Sequence, residues 1–228
     1  MSTQAIRSRE NPNLELIAFH GHFATRHSHN SHYLDITRLK HEYSLAHDTA
    51  LALANHYIYE KSIDTIICMD GSEVIGAFLA RQLTQKILFS VNKNVSICVV
   101  TPEYDSNGQL LFRENLVPMI QGKNALLLIS TVNSGKTARR ALECIQYYGG
   151  RIQGVAAVFS AIPDLDGIPV LSLFTPSDIP DYETYPTTYV VDRNGNIVGD
   201  PIVGAITEEK QAETLQKLID QALAADMG

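Results

Sequence analysis

Five runs of nearly unbroken apolar residues constrain this chain more than any other feature: DTIICMD (64–70), VSICVV (95–100), ALLLIS (125–130), IQGVAAVFS (152–160) and PVLSLF (169–174). A strand half exposed to water alternates polar with apolar residues, and these do not, so both of their faces must be covered. The intervening segments supply the cover. Apolar residues in HEYSLAHDTALALANHYIYE (41–60) fall at Leu45, Ala46, Ala50, Leu53, Ala54 and Tyr57, which is helical spacing. Segments 72–87 and 135–148 also read as helices. Strands alternating with helices predict an α/β fold, a parallel sheet with helices on both faces.

Two further pieces lie outside that pattern. TTYVVDRNGNIVGDPIV (187–203) places Asn194-Gly195 between short apolar runs, which predicts a hairpin with a type I′ turn. From Thr207, residues Ala212, Leu215, Leu218, Ile219, Ala222 and Leu223 form one stripe behind Glu208 and Glu209, an amphipathic helix docked on the domain or on a second subunit. Segment 101–124 is weakly patterned, and it reads equally as a lid and as a hairpin excursion at the sheet edge. Tyr147-Tyr148, before Gly149-Gly150, reads as helix termination and core packing.

A chain of 228 residues, 45% of them hydrophobic, suits a single domain. No apolar run reaches the ~18 residues of a membrane span, and the first 20 residues lack a signal-peptide core. The three cysteines, Cys68, Cys98 and Cys144, each sit in apolar surroundings and are expected as buried thiols in a reducing cytoplasm. A net charge of −7 with no basic block argues against nucleic acid binding through a broad positive surface, and no nucleic-acid partner is expected. An anionic ligand must therefore be held by local groups.

Those groups are densest in LLLISTVNSGKTA. Ser130, Thr131, Val132, Asn133, Ser134, Gly135, Lys136 and Thr137 span a strand end, a turn and a helix start. Gly135 permits a tight turn, and the free N–H groups of a first helical turn, with the Ser134 and Thr137 hydroxyls, suit a phosphate monoester. Helix capping by Asn133 or Ser134 is the alternative. A P-loop is disfavoured: the glycine it needs five positions before Gly135 is Ser130, and neither later strand ends in an aspartate for magnesium. DGSEVIG offers a second strand end, where Asp70, Gly71 and Ser72 open a helix.

From Gly21 to Gly204 the chain resembles the type I phosphoribosyltransferases, most of all orotate phosphoribosyltransferase. GHFATRHSHNSHYLDI (21–36) resembles that family's base-binding opening, DGSEVIGAFLARQL (70–83) its pyrophosphate loop and helix, residues 125–160 its phosphoribosyl diphosphate (PRPP) signature, and SDIPDYETYP (177–186) its segment near the end of the domain. The resemblance implies one domain over residues 1–228, with a core at about 41–175, an N-terminal hood at about 14–36 and a C-terminal hairpin and helix at about 187–226. It further implies a homodimer, Ser28 and Ser31 in a base pocket, Arg113 in a lid, and magnesium positioned by Asp70, whose alternative role is a helix N-cap.

The chain departs from the family where catalysis is concentrated. Two adjacent acids that hold the ribose hydroxyls are replaced by Ile129 and Ser130. Residues 101–118 carry one basic side chain, Arg113, against Glu103, Asp105 and Glu114, the wrong sign for closing over a polyanion. Two functions remain: a divergent transferase joining a pyrimidine-type base to PRPP, or a non-catalytic module that binds a nucleotide in the old phosphate site. His20, His22, His27, His29 and His32 crowd one segment; their spacing does not call for a metal, and they read either as a polar pocket wall for a base or phosphate or as solvated or core-satisfied side chains.

Overall fold

A computed structural model describes residues 2–24, 29–57, 62–91, 96–182, 184–185, 187–200, 202–203 and 209–226. In chain order its elements are β1 (Thr3–Arg7), β2 (Glu15–Ala24), β3 (His29–Asp35), α1 (Thr37–His41), α2 (Tyr43–Ala54), β4 (Thr65–Cys68), α3 (Glu73–Val91), β5 (Cys98–Val100), β6 (Glu103–Tyr104), β7 (Leu110–Leu111), β8 (Asn124–Val132), α4 (Lys136–Tyr147), β9 (Arg151–Ser160), β10 (Asp164–Leu165), β11 (Ile168–Phe174), β12 (Thr184–Tyr185), β13 (Thr187–Thr188), β14 (Ile202–Val203) and α5 (Glu209–Asp226). The chain divides into two compact units: Gln4–Ala18 with Leu34–Pro180, and the remainder, Met1–Thr3, Phe19–Tyr33 and Asp181–Gly228.

The larger unit contains a six-stranded sheet in the order β10-β11-β9-β8-β4-β5. The five strands expected from the apolar runs pair in parallel, and the short β10 adds itself antiparallel to β11. Side chains alternate across a strand, so β8 feeds two cores. Ala125, Leu127 and Ile129 join Ala138, Ala141, Leu142 and Ile145 of α4 in one apolar cluster. On the other face α3 closes onto β4 and β8, and a Cβ added to Gly76 would stand 2.3 Å from Cys68 Sγ.

The chain runs from β4 outward to β5, returns to the far side of β4 as β8, and continues outward to β9 and β11. The topological switch point therefore lies between β4 and β8, where open parallel sheets form their ligand crevice.

Segment 101–124 is the hairpin form of the two readings. Strands β6 and β7 pair as Glu103↔Leu111 and Tyr104↔Leu110, and a 3-10 helix at Glu114–Met119 follows. In the smaller unit β12 pairs with β3 (Thr184↔Asn30) and β13 with β14 (Thr187↔Val203). Helix α5 packs against the 187–203 segment: Leu218 and Ala222 are buried, and a Cβ on Gly199 would reach within 2.4 Å of Leu218 Cδ2. The far end of its stripe, Leu223, is exposed.

Three local expectations are corrected. The Asn194-Gly195 turn is not type I′, because Asn194 keeps a negative φ and only Gly195 is left-handed (φ 84°). The Asp192 carboxylate accepts from the N–H groups of Asn194 and Asn196 at 2.9 and 2.8 Å, which holds a type I turn ahead of a glycine bulge. The type I′ pattern belongs instead to Asp166-Gly167, both left-handed (φ 54° and 86°), closing β10 onto β11. Tyr147 is solvent-exposed at 84%, and only Tyr148 packs inward, edge-on to Phe112. Cys98 is half-buried, whereas Cys68 and Cys144 are buried, and all three are free thiols.

Candidate functional site

Strand β8 continues to Val132, which pairs with Ser160, two residues beyond the apolar run. The turn is consequently only Asn133-Ser134-Gly135. Gly135 has φ 76° and is the N-cap residue of α4. A Cβ there would stand 2.6 Å from Leu165 Cδ2 and 2.8 Å from Ile162 Cδ1, so backbone conformation and packing both demand glycine.

Helix α4 begins at a glycine, which has no side chain to cap it, and no side-chain cap hydrogen bond is made there among the described residues. Among the described residues nothing accepts a hydrogen bond from the N–H of Gly135, Lys136 or Thr137. The side chains of Ser134, Lys136 and Thr137 are exposed beside those amides, and Asn133 and Thr131 are half-buried. Unsatisfied N–H groups at the positive end of a 12-residue helix favour an anion.

Upstream residues contribute differently. Val132 is buried in the cluster under α4, and its carbonyl accepts from Ala161 N–H at 2.7 Å. Ser130 is 4% exposed and Ile129 1%. Ile129 belongs to the same apolar cluster, so the strand end carries no carboxylate at either position.

The neighbouring turn follows β4. Asp70 and Gly71 are successive left-handed residues (φ 55° and 74°). Lys40 of α1 donates to the Asp70 carbonyl at 2.8 Å. Ser72 is fully buried, and its hydroxyl donates to the Leu128 carbonyl of β8 at 3.1 Å, so its role is structural. The surrounding protein pushes the Asp70 carboxyl above its ordinary value; the Lys40 ammonium opposes the shift and the Glu73 carboxylate adds to it. Desolvation and the Asp70 charge likewise raise the Tyr104 phenol, against the pull of Arg140. Lys40, Asp70, Glu73, Tyr104 and Arg140 thus form one charged neighbourhood at the carboxyl end of the sheet. Lys40, Tyr104 and Arg140 had no sequence signal, because they arrive from α1, β6 and α4 and share no motif.

Arg113 is tied to Glu103 by a 2.7 Å ion pair. An open groove of about 790 Å³ separates the Asp105–Leu111 turn from Arg140, Glu143 and Tyr147 of α4.

In the smaller unit the Ser31 hydroxyl donates to the Asp181 carbonyl at 3.1 Å, which leaves its oxygen to accept from His32 Nδ1 at 2.9 Å. His32 is buried, in edge contact with His20 and stacked on Tyr182. Burial, then the nearby His20, lowers its pKa, and Asp181 opposes. Ser28 and His27 lie outside the described residues. Among the described residues no three His, Cys, Asp or Glu side chains come together as a metal site.

A parallel sheet with left-handed residues in the two turns that flank its switch point defines an open α/β fold. No protein-family profile matches the chain, and no curated protein does. Among solved structures the chain resembles the UMP synthase of Leishmania donovani (TM-score 0.51, 12% identity, 69% of this chain but 33% of that one). It also resembles the adenine phosphoribosyltransferases of Leishmania donovani (0.50, 13%, 72% and 78%) and Leishmania tarentolae (0.50, 10%, 66% and 80%). The chain has the type I phosphoribosyltransferase fold.

Proposed function

We propose that this protein binds the 5′-phosphate of a ribose phosphate, either PRPP or a nucleoside monophosphate, on the turn from Asn133 to Thr137. The observation that carries the reading is the set of N–H groups on Gly135, Lys136 and Thr137, beside the switch point, that no described residue accepts from. Lys136, exposed on the first residue of α4, adds positive charge to the same anion.

Phosphoribosyl transfer to a pyrimidine-type base is the reaction this site would serve, and the shared fold supports it. The neighbouring turn then faces the pyrophosphate. The Asp70 carboxylate, beside Glu73, would hold magnesium together with ligand oxygens, since magnesium takes one or two carboxylates and completes its shell with phosphate and water. Magnesium would there offset the charge of the diphosphate. The transferase reading also carries a homodimer, which sedimentation would test.

A second reading, a non-catalytic nucleotide-binding module, is favoured by Ile129. A buried isoleucine offers the ribose hydroxyls nothing and cannot stabilise positive charge on the ribose. Two measurements separate the readings. Calorimetric titration with UMP is expected to show binding under both. Loss of orotate absorbance in the presence of PRPP and magnesium, at ~1–1000 turnovers per second, supports the transferase; binding without turnover supports the module. Absence of binding by UMP and PRPP alike would remove both.

A further inference from the structure

The peptide between Ser134 and Gly135 is held from one side. Arg139, one turn along α4, donates from Nη1 to the Ser134 carbonyl at 3.1 Å and from Nε to Asp166 Oδ2 at 3.0 Å. Asp166 reaches it because the two-residue type I′ turn Asp166-Gly167 folds β10 back on β11 and carries the carboxylate over the start of α4. The same hairpin brings Leu165, fully buried, against Gly135.

A trans peptide is planar, and its C=O and N–H point in opposite directions. No cis peptide occurs among the described residues. With the Ser134 carbonyl committed to Arg139, the Gly135 N–H must point away from the guanidinium. The left-handed φ of Gly135 would tolerate other settings of this peptide, because glycine has no Cβ to restrict them. The flipped peptide would turn a carbonyl oxygen, a partial negative charge, on an incoming phosphate.

We propose that Arg139, oriented by Asp166, is a positioning residue that fixes the Ser134–Gly135 peptide so that its N–H rather than its C=O meets the anion. This rests on the phosphate-binding reading above. Arg139 does not touch the ligand in this scheme. Its guanidinium is occupied by the Ser134 carbonyl and by Asp166, and it acts through the peptide.

Amide NMR with inorganic phosphate as the probe tests it on the full chain. In the wild type, the Gly135 amide resonance is expected to shift on phosphate addition. Without phosphate, Arg139→Met is expected to move that resonance and increase its hydrogen exchange, because the peptide is no longer held. Phosphate affinity is expected to fall about tenfold, the loss of a well-oriented hydrogen bond to an ion. Asp166→Asn removes an exposed partner (73% side-chain exposure) and is expected to weaken phosphate about two- to fivefold. The double variant should bind no worse than Arg139→Met alone, since Asp166 acts only through Arg139. Should Arg139→Met fail to fold, Asp166→Asn carries the test, since it changes only a surface side chain. A Gly135 resonance unmoved in both variants, with phosphate affinity within about twofold of wild type, overturns the positioning role and leaves the binding reading intact. A wild-type protein whose Gly135 amide ignores phosphate overturns both, because a turn that takes no anion has nothing to be positioned for.

Discussion

The Ser72 hydroxyl donates to the Leu128 carbonyl across the switch point and ties the turn after β4 to the strand that carries the other turn. Ser72 is 0% exposed, so both partners of this bond are shielded from water. Ser72→Ala would leave the carbonyl without its side-chain donor, and a loss of about 1–2 kcal/mol in unfolding free energy is expected. Urea denaturation checks it, with an unchanged m-value showing that stability alone has moved.

Gly135→Ala tests the packing of the turn. The substitution places a Cβ at φ 76° and within 2.6 Å of the Leu165 side chain. Strained backbone and overpacking together are expected to cost about 2–4 kcal/mol. Thermal melting reads the stability, and a parallel phosphate titration is expected to show weakened binding.

Introducing a pair of acids at the end of β8 should fail. Ile129→Asp with Ser130→Asp puts a carboxylate into the cluster formed by β8 and α4, where Ile129 is 1% exposed. Burying an unpaired charge there is expected to destabilise by about 3 kcal/mol or more. A double variant that melts near the wild-type temperature would show that the strand end can turn this position outward. The expected result is a large drop in melting temperature with no gain of turnover.

Asp70 gives a pH dependence with a definite sign. Its folded pKa is raised above 3.8 by desolvation and by Glu73, so between the two values the folded state binds more protons than the unfolded one. Its contribution is present below pH 3.8 and is lost as pH rises through the folded pKa. Asp70→Asn is therefore expected to be more stable than wild type at pH 7, the difference disappearing below pH 4. Asparagine also tolerates the left-handed φ of 55°. The same variant is expected to lose any magnesium dependence of ligand binding, so stability and binding move in opposite directions. Melting curves from pH 3.5 to 7.5, with and without magnesium, check both.

The sheet was legible because unbroken apolar runs such as Leu126 to Ile129 have few alternatives to burial on both faces. The turn from β8 into α4 was legible because Gly135 and its small polar neighbours interrupt the apolar run ahead of a helical pattern. What the sequence did not show depends on distant segments meeting. Arg139 and Asp166 are 27 residues apart, and Lys40 and Asp70 are 30. Local pattern also misassigned the type I′ turn, since Asn-Gly and Asp-Gly carry the same signal. The Asp192 carboxylate, through its bonds to Asn194 and Asn196, decided against it at residues 194–195.

A crystal structure of the protein grown or soaked with UMP measures the central claim most directly. The expected result is the 5′-phosphate seated within hydrogen-bond distance of the Gly135, Lys136 and Thr137 amides, with the Ser134 carbonyl still turned to Arg139. A saturated crystal with those amides empty, or with the phosphate bound elsewhere on the chain, would contradict it.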